Sequence, residues 1–407
     1  MTTRRRLLAT SLGLPLGLPV GLALAAAGPG RSAGAQEAAP PVPRRDFTVQ
    51  GYTTRGGATL PAIRTGYQTA GRLNAAGDNA VLITHFFSGN GQAFGRNDPD
   101  GPLGWWDAVI GPGRPIDTDR YFVVAADSLV NLNAPDRYTV TTGPASVNPS
   151  TGRPWGMSFP VVSIRDFVEV QKRLLEHLGV RRLALVAGPS MGSLQVIEWA
   201  AAYPEMVERA MPVIGTGEMD AWMLGWLDLW AAPIRTDPNW RGGDYYTQGR
   251  DPPIRGLTEA LKLVTLHSRD RGWAAAQFGR RPAEGQDPAR RIQDRYAIET
   301  WLEGAAAARA RLSDANSFLY LVRANQLFLS EYGSTAEALA RSRARWLVVP
   351  SRGDRVFPLE YSRELVAGLR AAGQAVQEAE LSGGLGHLEG VANIAQAGEA
   401  IRGFLAA

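Results

Sequence analysis

The sequence predicts an α/β fold: a mostly parallel sheet flanked by helices, interrupted late by a helical insertion. Three observations predict it. Short apolar runs alternate with segments of helical period. The alternation stops between about Gly217 and Ser342, where only helix-like segments occur. A strand pattern then resumes to the end of the chain. Strands alternating with helices make right-handed βαβ units and hence a parallel sheet.

The elements follow in order. AVLITHFF (80–87), YFVVAADS (121–128), RLALVAG (182–188), RAMPVIG (209–215) and RWLVVPS (345–351) read as buried strands. Each is short, apolar and rich in β-branched or aromatic residues. The segment 164–180 places Ile164, Phe167, Val168, Leu174, Leu175 and Leu178 on one helical face and ends at Gly179. MDAWMLGWLDLW, GLTEALKLVTLHSRD, IETWLEGAAAARARL and DANSFLYLVRANQLF fill the insertion. The expected organisation is therefore a core of residues 51–216 and 343–407, with a helical lid over 217–342. The Pro- and Gly-rich stretches 88–119 and 131–160 read as long functional loops. No internal repeat is present at solenoid periods.

The first 35 residues read as an export signal. A basic start, a mildly apolar stretch and Ala33-Gly34-Ala35 make an A-x-A cleavage pattern. Thr3-Arg4-Arg5-Arg6-Leu7-Leu8 fits the twin-arginine type. Gly and Pro interrupt the apolar stretch, which argues against a stable membrane span; a retained anchor is the alternative. Residues 36–50 read as a Pro-rich linker. The expected location is periplasmic or secreted.

Loss of Arg4, Arg5, Arg6 and Arg31 takes the 43 basic residues to 39, equal to the 39 acidic ones. The basic pI of the full sequence therefore gives no argument for nucleic-acid binding. The chain has no Cys and four His. A disulfide, a thiolate metal site and a cysteine nucleophile are excluded, and no metal or cofactor is expected.

Gly188-Pro189-Ser190-Met191-Gly192 is a G-x-S-x-G, weak by itself in a Gly-rich chain. Its placement strengthens it. It follows an apolar strand and opens a helix, as a nucleophile elbow must. The alternative is an ordinary Gly-rich turn. An elbow serine needs a base and an orienting acid, in the chain order Ser, acid, His. Asp354 lies just past strand 345–350, and His387 lies in a Gly-rich loop after AVQEAEL (375–381). His387 is the only His C-terminal to both. Glu389 is the second candidate acid, but it sits too near His387 in sequence to orient it easily. The oxyanion donors expected are the N–H of Met191 and that of Phe87, in the loop after strand 80–87. His85 in that loop reads as structural rather than catalytic, since His387 fills the base role.

These motifs resemble the homoserine O-acetyltransferase family of the α/β-hydrolase superfamily. The resemblance rests on GWWDAVIGPGRPIDTDRYFVVAAD (104–127), residues 148–180, GPSMGSLQVIEWAAAYPEMVERAMPV (188–213), DPNWRGGDYY (237–246), FGRR (278–281), GDRVFP (353–358) and Gly386-His387. It spans about 45–405. It implies an α/β-hydrolase fold with a helical lid, Ser190 as nucleophile, Asp354 and His387 as its triad partners, and often a homodimer. Two positions depart from the family. An Arg six residues before the DPNW aspartate, which helps bind the amino-acid substrate, is Ala231 here. An Asp directly after the catalytic His, which reads the substrate amine, is Leu388 here. A desolvated zwitterion needs charged partners, and these residues offer none. Arg235 could compensate only with a local register shift. The segment 131–148 is also longer than the family's loop.

Those departures, with the export signal, lead to the expectation of an exported serine hydrolase acting on a carboxylic ester. Acetyl-coenzyme A is a cytosolic donor, whereas water is always at hand. The alternative is an O-acyltransferase using the same acyl-serine. An inactive binding fold is a third, against which the complete Ser-Asp-His set argues. The partner expected is a small-molecule ester or acyl donor.

Overall fold

The computed structural model describes residues 41–407. The expected export signal and the start of the linker lie outside the described residues.

An eight-stranded sheet forms the core. Its strands are β1 (Arg45–Thr53), β2 (Thr59–Ala70), β3 (Ala80–Ile83), β4 (Phe122–Ala126), β5 (Leu183–Pro189), β6 (Arg209–Val213), β7 (Arg345–Val348) and β8 (Val376–Glu378). They lie side by side in the order β1-β2-β4-β3-β5-β6-β7-β8. Strands β1, β2 and β4 pair antiparallel, and all later neighbours pair parallel. This is the mostly parallel sheet expected for an α/β-hydrolase fold.

The central strands are buried on both faces, so they read as unbroken apolar runs. Val124 and Ala126 of β4 face one core, and Val123 and Ala125 face the other. The first core takes α1 (Ile164–His177), α2 (Met191–Ala202) and the insertion. The second takes the C-terminal helix Gly398–Ala406 and the loop around Trp106.

Between β6 and β7 the chain forms α3 (Ala221–Thr236), α4 (Ile254–His267), α5 (Arg271–Gln277), α6 (Ala297–Ala310), α7 (Ala315–Gln326) and α8 (Thr335–Ala340). Helix α4 packs against both α3 and α6, and α3 against α7. Among the described residues, no helix is long and apolar enough to cross a membrane.

Two expectations need correction. Residues 45–50 are strand, not linker: Phe47, Val49 and Tyr52 point inward from β1, which pairs with β2 along its length. The apolar run 80–87 is strand only to Ile83; Thr84 to Phe87 leave the sheet and turn over its carboxyl edge.

Asp166 ties the β1–β2 hairpin to α1. It accepts from the Tyr52 hydroxyl (2.6 Å), the Arg55 N–H (2.8 Å) and the Ser163 N–H (2.8 Å), the last being half of a capping box. Asp166 is 1% exposed. Asp166→Ala would lose the cap and strand a buried phenol. Urea titration should show a loss of about 2–4 kcal/mol.

Candidate active site

The elbow is built by crowding. Ser190 sits at φ 58°, ψ −121°, a strained position for a non-glycine residue. Its N–H donates to Val213 O (2.9 Å), which fixes the turn against β6. A Cβ at Gly188 would meet Thr84 O at 2.4 Å, and one at Gly192 would meet the same oxygen at 2.4 Å. Only glycine permits this approach of the elbow to the end of β3. Ser190 thus stands at the N-terminus of α2, where free N–H groups favour negative charge.

The structure brings Ser190, His387 and Asp354 together. The Ser190 hydroxyl lies 2.8 Å from His387 Nε2, and His387 Nδ1 lies 2.7 Å from Asp354 Oδ2. The second carboxylate oxygen of Asp354 accepts from the N–H groups of Val356 (2.8 Å) and Phe357 (2.9 Å). Asp354 is therefore held as an acceptor, which directs the His387 proton to Nδ1 and leaves Nε2 to face the hydroxyl. All three residues are buried. Ser351 Oγ–H donates to Gly386 O (2.8 Å) and ties the Asp354 loop to the His387 loop.

Glu389 does not contact the imidazole. It accepts from the Leu385 N–H (2.8 Å) and from Asn393 Nδ2 (2.7 Å), and so braces the loop that carries His387.

Among the described residues, the two expected oxyanion donors are both without partners. Neither a backbone nor a side-chain acceptor meets the Phe87 N–H among the described residues. Met191 is the first residue of α2, so its N–H has no partner within the helix. His85 explains how the Phe87 amide is aimed. Its Nε2 accepts from the Ser128 N–H (3.0 Å), so the ring proton lies on Nδ1, which donates to Phe86 O (2.8 Å). The Gly89 N–H donates to the same carbonyl (2.9 Å). In a planar trans peptide the Phe87 N–H points opposite to that carbonyl. Burial pushes the His85 pKa down, which keeps the ring neutral in this role. Asp127 supports the same loop, accepting from the Gly91 N–H (2.7 Å) and pairing with Arg44.

A cavity of about 230 Å³ opens beside Ser190 and His387, under the lid. Leu388 lines it, and Ala231 does not, being buried in α3. Sequence reasoning missed two of its lining residues, Arg269 and Arg309. Among the described residues neither forms an ion pair. The only signal was positional: Arg309 follows Leu302 and Ala306 at helical spacing, on the buried stripe of α6. The lining contains no Asp or Glu. Among the described residues no cluster of three His, Asp or Glu could hold a metal.

This geometry can take a proton from Oγ onto Nε2, stabilise the resulting imidazolium, and receive an oxyanion at two aimed N–H groups.

Comparison with known proteins gives the relationships. The chain matches the family of the alpha/beta hydrolase fold over residues 104–390. It is 40% identical over 355 residues to a homoserine O-acetyltransferase of Symbiobacterium thermophilum, covering 86% of this chain and 90% of that one. The crystal structure of esterase E22 superposes with a TM-score of 0.86 at 43% identity, covering 89% of this chain and 100% of that one. The homoserine O-acetyltransferase from Bacillus anthracis gives 0.85 at 32% identity, covering 90% and 98%. These relatives correct the functional expectation. Further relatives, down to 34% identity, also carry the name homoserine O-acetyltransferase, against the reading of an exported esterase. The error lay in weighing two substituted positions and the export signal above the motifs shared along the whole chain.

The site also carries a pH signature. His267 stacks on Trp226 (centroids 4.1 Å apart) and meets the edge of Trp230. Burial, and after it the nearby His387, push His267 down to about 4. The unfolded chain binds the proton near pH 6.5, so the folded state loses stability as pH falls from about 6.5 towards 4. His267→Phe keeps the stacking and removes that proton. Melting curves at pH 7 and pH 4.5 should show a smaller acid loss in His267→Phe than in the parent; equal losses would sink this assignment.

Proposed function

Because this chain belongs to the homoserine O-acetyltransferase-like family of the α/β-hydrolase superfamily, we propose that it is an O-acyltransferase working through an acyl-Ser190 intermediate. The relationship to homoserine O-acetyltransferases across most of the chain carries this reading. The aligned Ser190, His387 and Asp354 support it.

In the first half-reaction Ser190 Oγ attacks the acyl carbonyl of the donor. His387 Nε2 takes the hydroxyl proton, and Asp354 stabilises the imidazolium. The N–H groups of Met191 and Phe87 hold the oxyanion; one such donor is typically worth about 10²–10³ in rate. The acyl bond to the donor breaks, and His387 protonates the leaving group. In the second half an alcohol acceptor gives its proton to Nε2 and attacks the acyl carbon. The bond to Oγ breaks, the proton returns to Ser190, and a new ester leaves. The E22 structure carries an esterase name on the same scaffold. That fits, because an acyl-serine precedes both outcomes.

Localisation rests on the sequence alone. We propose export, directed by residues 1–35. Protein purified from the periplasm should begin at Gln36 by mass spectrometry; a full-length N-terminus would mean that the segment is retained.

The transferase reading is checked by partitioning. The protein is acylated with p-nitrophenyl acetate or an acetyl thioester in the presence of primary alcohols, homoserine among them. A new ester should form at the expense of acetate as the acceptor concentration rises. Acetate alone at every concentration would overturn the proposal. Ser190→Ala should lower both products by about 10⁶-fold, and Asp354→Asn by about 10⁴-fold.

A further inference from the structure

We propose that Arg269 and Arg309 form an anion-binding subsite beside Ser190, which selects substrates bearing a carboxylate and no ammonium group. This rests on the acyl-transfer reading and names the substrate class of the same site.

Both arginines line the cavity that holds Ser190 and His387. Arg269 lies between α4 and α5, and Arg309 near the end of α6. Arg309 makes one hydrogen bond, from Nη1 to Thr265 Oγ1 (2.8 Å). No protein group among the described residues accepts from the Arg269 guanidinium, and its Nε is buried without a partner. Its guanidinium stacks over Trp273, 4.5 Å from the ring centroid, and lies 6.0 Å from that of Trp301. Aromatic faces orient the fork without satisfying its donors. Two half-buried cations with nearly all their donors unmet by protein groups leave those donors free for an anion.

Their placement is fixed. A Cβ at Gly386 would lie 2.9 Å from the Arg269 carbonyl carbon and 2.7 Å from the Asp270 nitrogen. A Cβ at Gly353 would lie 3.1 Å from Asp270 Oδ2. The backbone at 269–270 therefore rests directly on the loops that carry His387 and Asp354. Burial, then the charge of Arg269, push Arg309 down to about 10, so it stays charged at neutral pH. Burial also pushes Arg269 down.

The lining fixes the sign and size of the ligand. With no Asp or Glu in it, an ammonium would be desolvated beside two like charges. At about 230 Å³ the cavity lies below the usual range of about 300–1,000 Å³ for ligand pockets, so the part of the ligand beside the arginines is short. A planar carboxylate matches the guanidinium fork. It could belong to the acyl group, as in a dicarboxylic half-ester, or to the acceptor, as in a hydroxy acid.

The full chain is assayed in two arms. The acyl arm compares p-nitrophenyl hemisuccinate with p-nitrophenyl butyrate by p-nitrophenolate release. The acceptor arm uses p-nitrophenyl acetate with 4-hydroxybutyrate, homoserine or 1-butanol. The carboxylate compound should be preferred in one arm, and that arm identifies its source. If the acceptor is the source, 4-hydroxybutyrate should also exceed homoserine. Arg309→Met and Arg269→Met should each cut kcat/KM for the carboxylate compound by about 10–100-fold. Activity on the neutral compound should stay within about threefold. No preference in either arm, or equal losses on anionic and neutral compounds, would overturn the subsite. Undiminished p-nitrophenolate release by Ser190→Ala with every donor would instead overturn the acyl-enzyme reading, and this one with it.

Discussion

The site depends on one close contact, between Thr84 at the end of β3 and the two glycines of the elbow. Thr84 Oγ1 donates to Gly192 O (2.9 Å), and the Thr84 N–H donates to Ala187 O (2.9 Å). Neither Gly188 nor Gly192 has room for a side chain there. This contact does two things. It holds Ser190 in its strained conformation, and it sets where the chain leaves β3 to form the Phe86–Phe87 peptide. Nucleophile and oxyanion donor therefore share one anchor. Their separation cannot relax without breaking the buried β3–β5 ladder, which is how a rigid sheet pre-organises a site on its loops.

The legible parts of the chain were those whose neighbours are uniform. Strands β3 to β7 are covered on both faces, so their apolar runs stood out in sequence. Strand β2 did not. Its buried set includes Leu60 and Ile63, three apart, followed by Thr65, Tyr67 and Gln68, with Pro61 and Gly66 between. Such a strand loses its period-two signature because its outer face is covered by loops, Val140 and Asp127 among them. Ser190 was legible because an elbow is local. Asp354 and His387 followed because chain order constrains them. Arg269 and Arg309 were not legible. Each lies in a helical lid whose rotation over the cavity is set by α3, α4 and α6 packing on one another, and no local pattern records that.

This explains the mistaken functional expectation. Ala231 and Leu388 were read as a loss of substrate charge, because charge was sought at those two positions and at Arg235 beside them. The cavity draws its charge from elsewhere, from the α4–α5 junction and from α6. Ala231 lies buried in α3 away from the cavity, and Leu388 contributes apolar surface to it. The amine partner has no counterpart in the lining, whereas a carboxylate partner does. The net change is a shift in the charge pattern of the ligand, not a loss of recognition.

Whether an acyl-serine passes to water or to an alcohol is then a property of the cavity, not of the triad. His387 can deprotonate either nucleophile, and the oxyanion donors do not distinguish them. What distinguishes them is occupancy. An acceptor whose carboxylate is held by the two arginines would carry its hydroxyl to the place where a water would otherwise meet Nε2. Well-oriented neighbours reach effective molarities of about 10⁵–10⁸ M, enough to outcompete bulk water once bound. The same acceptor would also fill a small cavity and displace the water within it. Without a bound acceptor the acyl-serine is open to hydrolysis. A single scaffold can therefore carry a transferase name in one relative and an esterase name in another without any change at Ser190, His387 or Asp354.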